Sequence, residues 1–421
     1  MSSVTIGLGM ADLWIRVEVF ARQWLESLLP IVPEMTSHQR LFLGAVTLGP
    51  HLLRNTNLSI DWAVFDHFVG VLRESPRFGQ VAYYGTVGST VRAEDIPGRL
   101  AQKSFDSQGA QVSEETISNL LHQLRSFMED DEVKVTVRSE LFGFWADAPV
   151  QIADNLAIVL NTAEPTLMTL MMAIPQGRYC LEANATVNLR FQPERDFLFD
   201  AVNNEDTRLI SGLYSDVALA CQILSILDEG SFTPGSPDLV FDNWLLSSGF
   251  QSRPLRPVYP TSFDRFDLKL SHADLLKTLF STARKLREDG PNHVLVALNR
   301  FYLAQFRGSF DDRLLDLVIA AEAMFLNDAN GELSYRLATR GALFLADKSE
   351  ERTAIFRKLR KAYERRNAIV HGSRIQSLEV AESVEDMEAT MRVAVRKALV
   401  TIGAGHQSAV SNWDDLAFLS I

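Results

Sequence analysis

Only two cysteines, Cys180 and Cys221, occur in the 421 residues. They are too few for a disulfide framework and lack metal-ligand spacing, and they fit a reducing, cytoplasmic setting. Long apolar runs are missing too. The longest, 167–174, is broken by Thr169 and stopped by Pro175, far short of the ~20 residues that cross a bilayer, so no membrane association is expected. Met1-Ser2-Ser3-Val4 puts no basic stretch ahead of an apolar one, so no signal peptide is expected. None of the eight histidines falls in an HExxH or other metal spacing. The stretch GTVGST at 85–90 lacks the lysine of a phosphate-binding loop, and no G-x-S-x-G elbow occurs. Neither a metal nor another cofactor is expected. Positive charge is also scarce: the net charge is -12. A uniformly acidic surface repels nucleic acid, so any RNA contact needs a local basic patch.

What is present is a globular composition, 47% apolar and 22% charged, in a length that suits about two or three domains. Residues 1–262 read as a mixed α+β region with substantial β content, with a possible subdomain split near 130. Helical patterns cover 13–29, 62–73 and 114–128, and a strand pattern covers 80–91. Val133-Lys134-Val135-Thr136-Val137 alternates as a half-buried strand does. Strand patterns recur at 157–160 and 183–191, and 209–227 leans helical. Five prolines between Pro234 and Pro260 mark an irregular connection. From 263 to 405 the pattern is almost entirely helical, with helices expected near 271–288, 291–307, 311–327, 332–346, 350–371 and 382–403. Short connections between them imply an all-α helical bundle. Residues 406–421 read as a tail.

The chemistry concentrates in the helix ending at His371-Gly372. Ile355, Leu359, Tyr363 and Val370 follow a core-facing spacing, and Arg366 falls on the same stripe. A guanidinium facing a core needs a carboxylate or a phosphate. Glu322 lies inward on the preceding central helix, 313–326, and is expected to orient Arg366. Asn367 and His371 are four apart and share one side of the helix. Arg366 and His371 are five apart, about 140° around an ideal helix. Either the last turn is distorted near Gly372, a plausible glycine stop, or a phosphate sits between two copies of the motif. The second option predicts a dimer with a shared site. Between Glu351 and Arg374 stand eight basic and two acidic residues. Arg360, Lys361, Arg365 and Arg374 are therefore candidates for RNA phosphate binding. A permanent cation beside a group that titrates near neutral pH can hold a phosphate and move a proton.

Three stretches, RLLDLVIAAEAMF at 313–325, LSYRLATRGAL at 333–343 and YERRNAIVHG at 363–372, resemble the HEPN superfamily of helical bundles, in particular its Apea-like group. The resemblance covers about residues 290–403. It implies a metal-independent endoribonuclease working as a homodimer with the two motifs facing each other, as in toxin and antiviral defence systems. By the same resemblance Arg366 binds the scissile phosphate, His371 transfers a proton and Asn367 helps order the site. Residues 1–262 would then answer to an unknown trigger or regulatory partner. The alternative is a non-catalytic HEPN-like dimerisation or nucleotide-binding module, in which Arg366 and His371 hold the fold or a nucleotide.

Overall fold

The computed structural model describes residues 3–32, 59–84, 87–105, 113–162, 177–192, 205–228, 230–246, 265–290, 292–327, 331–373 and 375–406, with Val410 and Trp413. The apolar run 167–174, Pro254, Pro257, Pro260 and Arg374 lie outside them. The chain has an α+β N-terminal region and an all-α C-terminal region. It divides into two compact units that interleave along the sequence. One takes residues 1–136, 184–212 and 239–252, the other 137–183, 213–238 and 253–421.

In the first unit, α1 (Ser3–Leu28), α2 (Trp62–Leu72), α3 (Ile96–Ser104) and α4 (Glu114–Glu129) carry the helical content. Asp61 and Ser113 start α2 and α4 by accepting from exposed N–H groups of the first turn. Trp24 of α1 is almost wholly buried, donates from its indole to the Pro97 carbonyl at 2.8 Å and meets Phe65 edge-on at 5.4 Å. Within residues 80–91, expected as one strand, two separate strands are found. β1 (Val81–Tyr84) and β2 (Val87–Thr90) pair antiparallel in the register Val81↔Thr90 to Tyr84↔Val87. β8 (Arg190–Gln192) completes a three-stranded sheet in the order β2-β1-β8.

Two long strands run through the unit boundary. β3 (Glu132–Phe142) extends the expected 133–137 and alternates buried and accessible residues along its length, as a strand with one covered face does. β7 (Tyr179–Asn188) begins four residues before the expected start. In the second unit, β4 (Phe144–Ala146), β5 (Val150–Ala153) and β6 (Leu156–Leu160) follow β3, and the sheet order is β3-β7-β6-β5. β9 (Thr233–Pro234) pairs with β3, and β11 (Phe266–Leu268) runs parallel to β4. The remaining short strand is β10 (Asp238–Phe241). Phe144, Phe232 and Phe266 pack ring to ring at 5.3–5.8 Å. Gly230 permits the closest approach here, since a Cβ would stand 2.5 Å from the Phe266 Cα.

The helices of the second unit follow the expected spans closely. They are α6 (Ala273–Asp289), α7 (His293–Ala304), α8 (Phe310–Phe325), α9 (Leu333–Leu345), α10 (Ser349–Val370) and α11 (Ser377–Gly403). α11 starts five residues before the expected 382, with buried Val380 anchoring its first turn. Ser309 caps α8, and Asp311 and Asp312 complement its N-terminal dipole. α8 packs against α7, α10 and α11, so it is the central helix its apolar circumference calls for. Asp316, inside that helix, is almost wholly buried and accepts from Arg300 at 3.1 Å and Arg307 at 2.5 Å.

Residues 213–225 of α5 (Glu205–Ser225) join this unit. Asp216 accepts from Arg287 at 2.5 Å, and Cys221 is hydrogen-bonded to Tyr302. Burial pushes the Cys221 thiol up to about 12 and raises the Tyr302 phenol as well. Both groups fold in their neutral forms. Their share of stability is complete below the ordinary thiol range and falls as pH rises through it. The expected loss from Cys221 is on the order of 1 kcal/mol by pH 10. Urea midpoints at pH 7 and pH 10 measure it, and Cys221→Ala should flatten the decline. Cys180 is also buried. The native protein is therefore expected to expose no thiol to a bulky disulfide reagent, and the unfolded protein two.

Candidate active site at the end of helix α10

α10 ends in a glycine-stopped turn that fixes the site's backbone. Gly372 adopts φ +75°, and its N–H donates to the Ile369 carbonyl at 3.0 Å. The Ser373 N–H reaches back to the Ala368 carbonyl at 2.8 Å. Those two bonds make a Schellman motif, which needs a left-handed residue after the cap. His371 is the cap residue. Its N–H donates to the Asn367 carbonyl at 3.0 Å, and its side chain is exposed.

One helical turn earlier, Arg366 retains 26% of its side-chain exposure. Its Nη2 lies 3.7 Å from Glu322 Oε2 on α8, its Nη1 donates to Asn367 Oδ1 at 3.1 Å, and its guanidinium carbon sits 5.9 Å from the Tyr363 ring centre. Its Nε is buried with no hydrogen-bond partner among the described residues. Tyr363, which the sequence assigns to the core alone, also shares a hydrogen bond with Glu322. Burial and the Glu322 carboxylate raise the Tyr363 phenol, and Arg366 opposes them. The phenol is thus the donor and Glu322 the acceptor. Among the described residues Glu322 receives one hydrogen bond and faces one cation, and the guanidinium keeps donors for a further acceptor.

The structure brings Glu322, Tyr363, Arg366 and Asn367 together, with His371 at the end of the same helix. The other basic candidates are engaged differently. Arg365 is only 11% exposed, bonds the Glu379 carbonyl and donates to Ser383 Oγ at 2.6 Å. Lys361 faces Glu382 at 3.7 Å, Lys358 faces Asp386 at 2.7 Å, and Arg360 pairs with Glu364 at 2.9 Å. Acidic residues of α11 thus offset much of the positive run on α10. Arg365 in particular ties the two helices together.

Val370, expected to face the core, is 55% exposed. α10 fully buries only Leu359, Ala362 and Tyr363; its last turn is partly covered, and Val370 at its end is exposed. Leu378, in the first turn of α11, is 72% exposed. Large apolar side chains therefore stand in solvent on both sides of His371 in the sequence. No group of three or more histidine, cysteine or acidic side chains placed to hold a metal occurs among the described residues. No helix among them is long and apolar enough to cross a membrane.

No family model matches this chain, and neither a curated protein nor a solved structure matches it.

Proposed function

We propose that this protein is a cytoplasmic, metal-independent endoribonuclease of HEPN type whose active site forms between two copies of α10. The observation that carries the reading is the half-buried Arg366, braced by Glu322 and Asn367 and followed by an exposed His371 on a fixed helix end. A guanidinium binds a phosphodiester by two N–H groups, and an imidazole gives or takes a proton near neutral pH. In this reaction the neighbouring 2′-oxygen attacks phosphorus while its proton passes to a base. The P–O5′ bond breaks, and the departing 5′-oxygen receives a proton. The products are a 2′,3′-cyclic phosphate and a 5′-hydroxyl. One imidazole serves one of the two proton transfers, and a second copy supplies the other. The exposed Val370 and Leu378 suit burial against that second copy. A toxin or antiviral role, with the N-terminal region restraining the nuclease until triggered, is consistent with such chemistry.

Incubation with labelled single-stranded RNA in EDTA tests the reading. Cyclic phosphate ends that disappear in Arg366→Ala support it, and intact RNA under every trigger condition removes it. Glu322→Gln keeps the size of the side chain and loses its charge. It is expected to slow cleavage by about tenfold or more through a looser Arg366, a change read in single-turnover rates.

A second reading has its own support. The α10 cations are largely neutralised by α11, as in a bundle that dimerises or holds a nucleotide without cutting RNA. A dimer whose mass is unchanged by Arg366→Ala, together with intact RNA, would favour it.

A further inference from the structure

Two arginines converge on one indole in the second unit, on elements other than α10. The Arg178 guanidinium carbon lies 3.6 Å from the Trp145 ring centre and that of Arg265 lies 4.8 Å from it. Trp145 is half-buried on β4, and Arg178 and Arg265 are exposed. Each is held by its backbone. The Arg178 carbonyl accepts from the Asn161 N–H at 2.8 Å, just ahead of β7. Arg265 forms a parallel bridge with Ser231, and a Cβ on Gly230 would fall 2.6 Å from the Arg265 carbonyl oxygen. Trp145 is braced edge-on by Tyr179 at 6.2 Å, whose hydroxyl donates to the Ala146 carbonyl at 2.7 Å.

Among the described residues the charges here leave one cation unmatched. Arg265 pairs with Asp267 at 2.7 Å. Arg178 has no carboxylate partner among the described residues, and its visible engagement is the stack on Trp145. Stacking uses the flat face of a guanidinium and leaves its in-plane N–H donors free. Asp267 offsets one of the two cations held near this ring, and an anion would neutralise the other. The planar outer faces also suit an unpaired base.

We infer that Arg178, Trp145 and Arg265 form a binding platform for single-stranded RNA, touching its phosphodiester backbone through the two guanidinium groups. This rests on the RNA reading above and adds to it a second binding region, outside the cleaving motif. On a chain of net charge -12, such a local cation pair is the kind of feature that gives RNA a foothold.

The test uses the full chain and a fluorescein-labelled 15-nucleotide RNA with 2′-O-methyl groups throughout. That probe cannot be cut by attack of a 2′-hydroxyl, so binding is read apart from cleavage. Arg178→Ala and Arg265→Ala are each expected to weaken binding by about five- to tenfold. Each should also make the plot of log affinity against log salt shallower by about 0.7, because one phosphate is no longer neutralised. Arg178→Lys should restore the salt slope and only part of the affinity, because it keeps the charge and loses the stack. Unchanged affinity in both alanine variants overturns the platform, and so does absence of binding by the parent chain. A parallel assay on unmodified RNA separates the two ideas. Cleavage that depends on Arg366, with binding indifferent to Arg178 and Arg265, removes the platform alone. Binding that depends on Arg178 and Arg265, with no cleavage, keeps the platform without the nuclease.

Discussion

His371→Ala is expected to reduce the single-turnover rate of RNA cleavage by about 10²–10⁴-fold, the usual cost of losing a proton-transfer group. The fold should survive, because the structural work of His371 is done by its backbone. Its N–H bond to the Asn367 carbonyl and the glycine-stopped turn behind it need no imidazole. Circular dichroism and sedimentation should match the parent chain, so lost cleavage would report chemistry. Added imidazole should restore part of the rate if the side chain moves a proton. Undiminished cleavage in this variant would remove His371 from the mechanism.

Trp413→Ala is expected to destabilise the protein by about 3–5 kcal/mol, as for other large aromatic side chains deleted from cores. Trp413 is fully buried and meets Phe325 and Phe344 edge-on, each at 5.2 Å. Its indole nitrogen has no hydrogen-bond partner among the described residues, so the contribution is packing. At the usual entropy of unfolding for a unit of this size, the loss lowers the melting temperature by about 10 °C, measurable by calorimetry. The effect should reach the site as well. Phe325 ends α8 one turn after Glu322, so a void beside Phe325 loosens the helix end that braces Arg366. Cleavage should fall more steeply with temperature in Trp413→Ala than in the parent chain.

The C-terminal helices were legible because their apolar stripes recur at helical spacing and glycines punctuate them. The turn at Gly372 was legible for the same reason: one residue type marks a left-handed stop. Periodicity names the face of a helix that is apolar, and not whether a neighbour stands opposite. That is why Val370 reads as core and lies in solvent. It is also why Trp413, seen only as part of a tail, carries packing that spacing cannot reveal. Asp316 is hidden from the sequence for a related reason. An acid in an apolar helix looks like a solvent-facing break until Arg300 and Arg307 are placed beside it. At the site, Arg366 on the apolar stripe calls for a carboxylate, and Glu322 on the central helix is legible as that partner. The hydrogen bond between Tyr363 and Glu322 depends on how two helices pack, and no local pattern encodes it.

The interleaving of the two units limits how this chain can be dissected. The helical bundle is completed by residues 137–183 and 213–238 as well as by 253–421. A shortened gene starting at residue 263 would strip Tyr302 of Cys221, Arg287 of Asp216 and Arg396 of the Leu227 carbonyl. Such a fragment begins with a torn core. Silence from it in any assay would speak of a missing scaffold, because the segments 137–183 and 213–238 belong to the same compact unit.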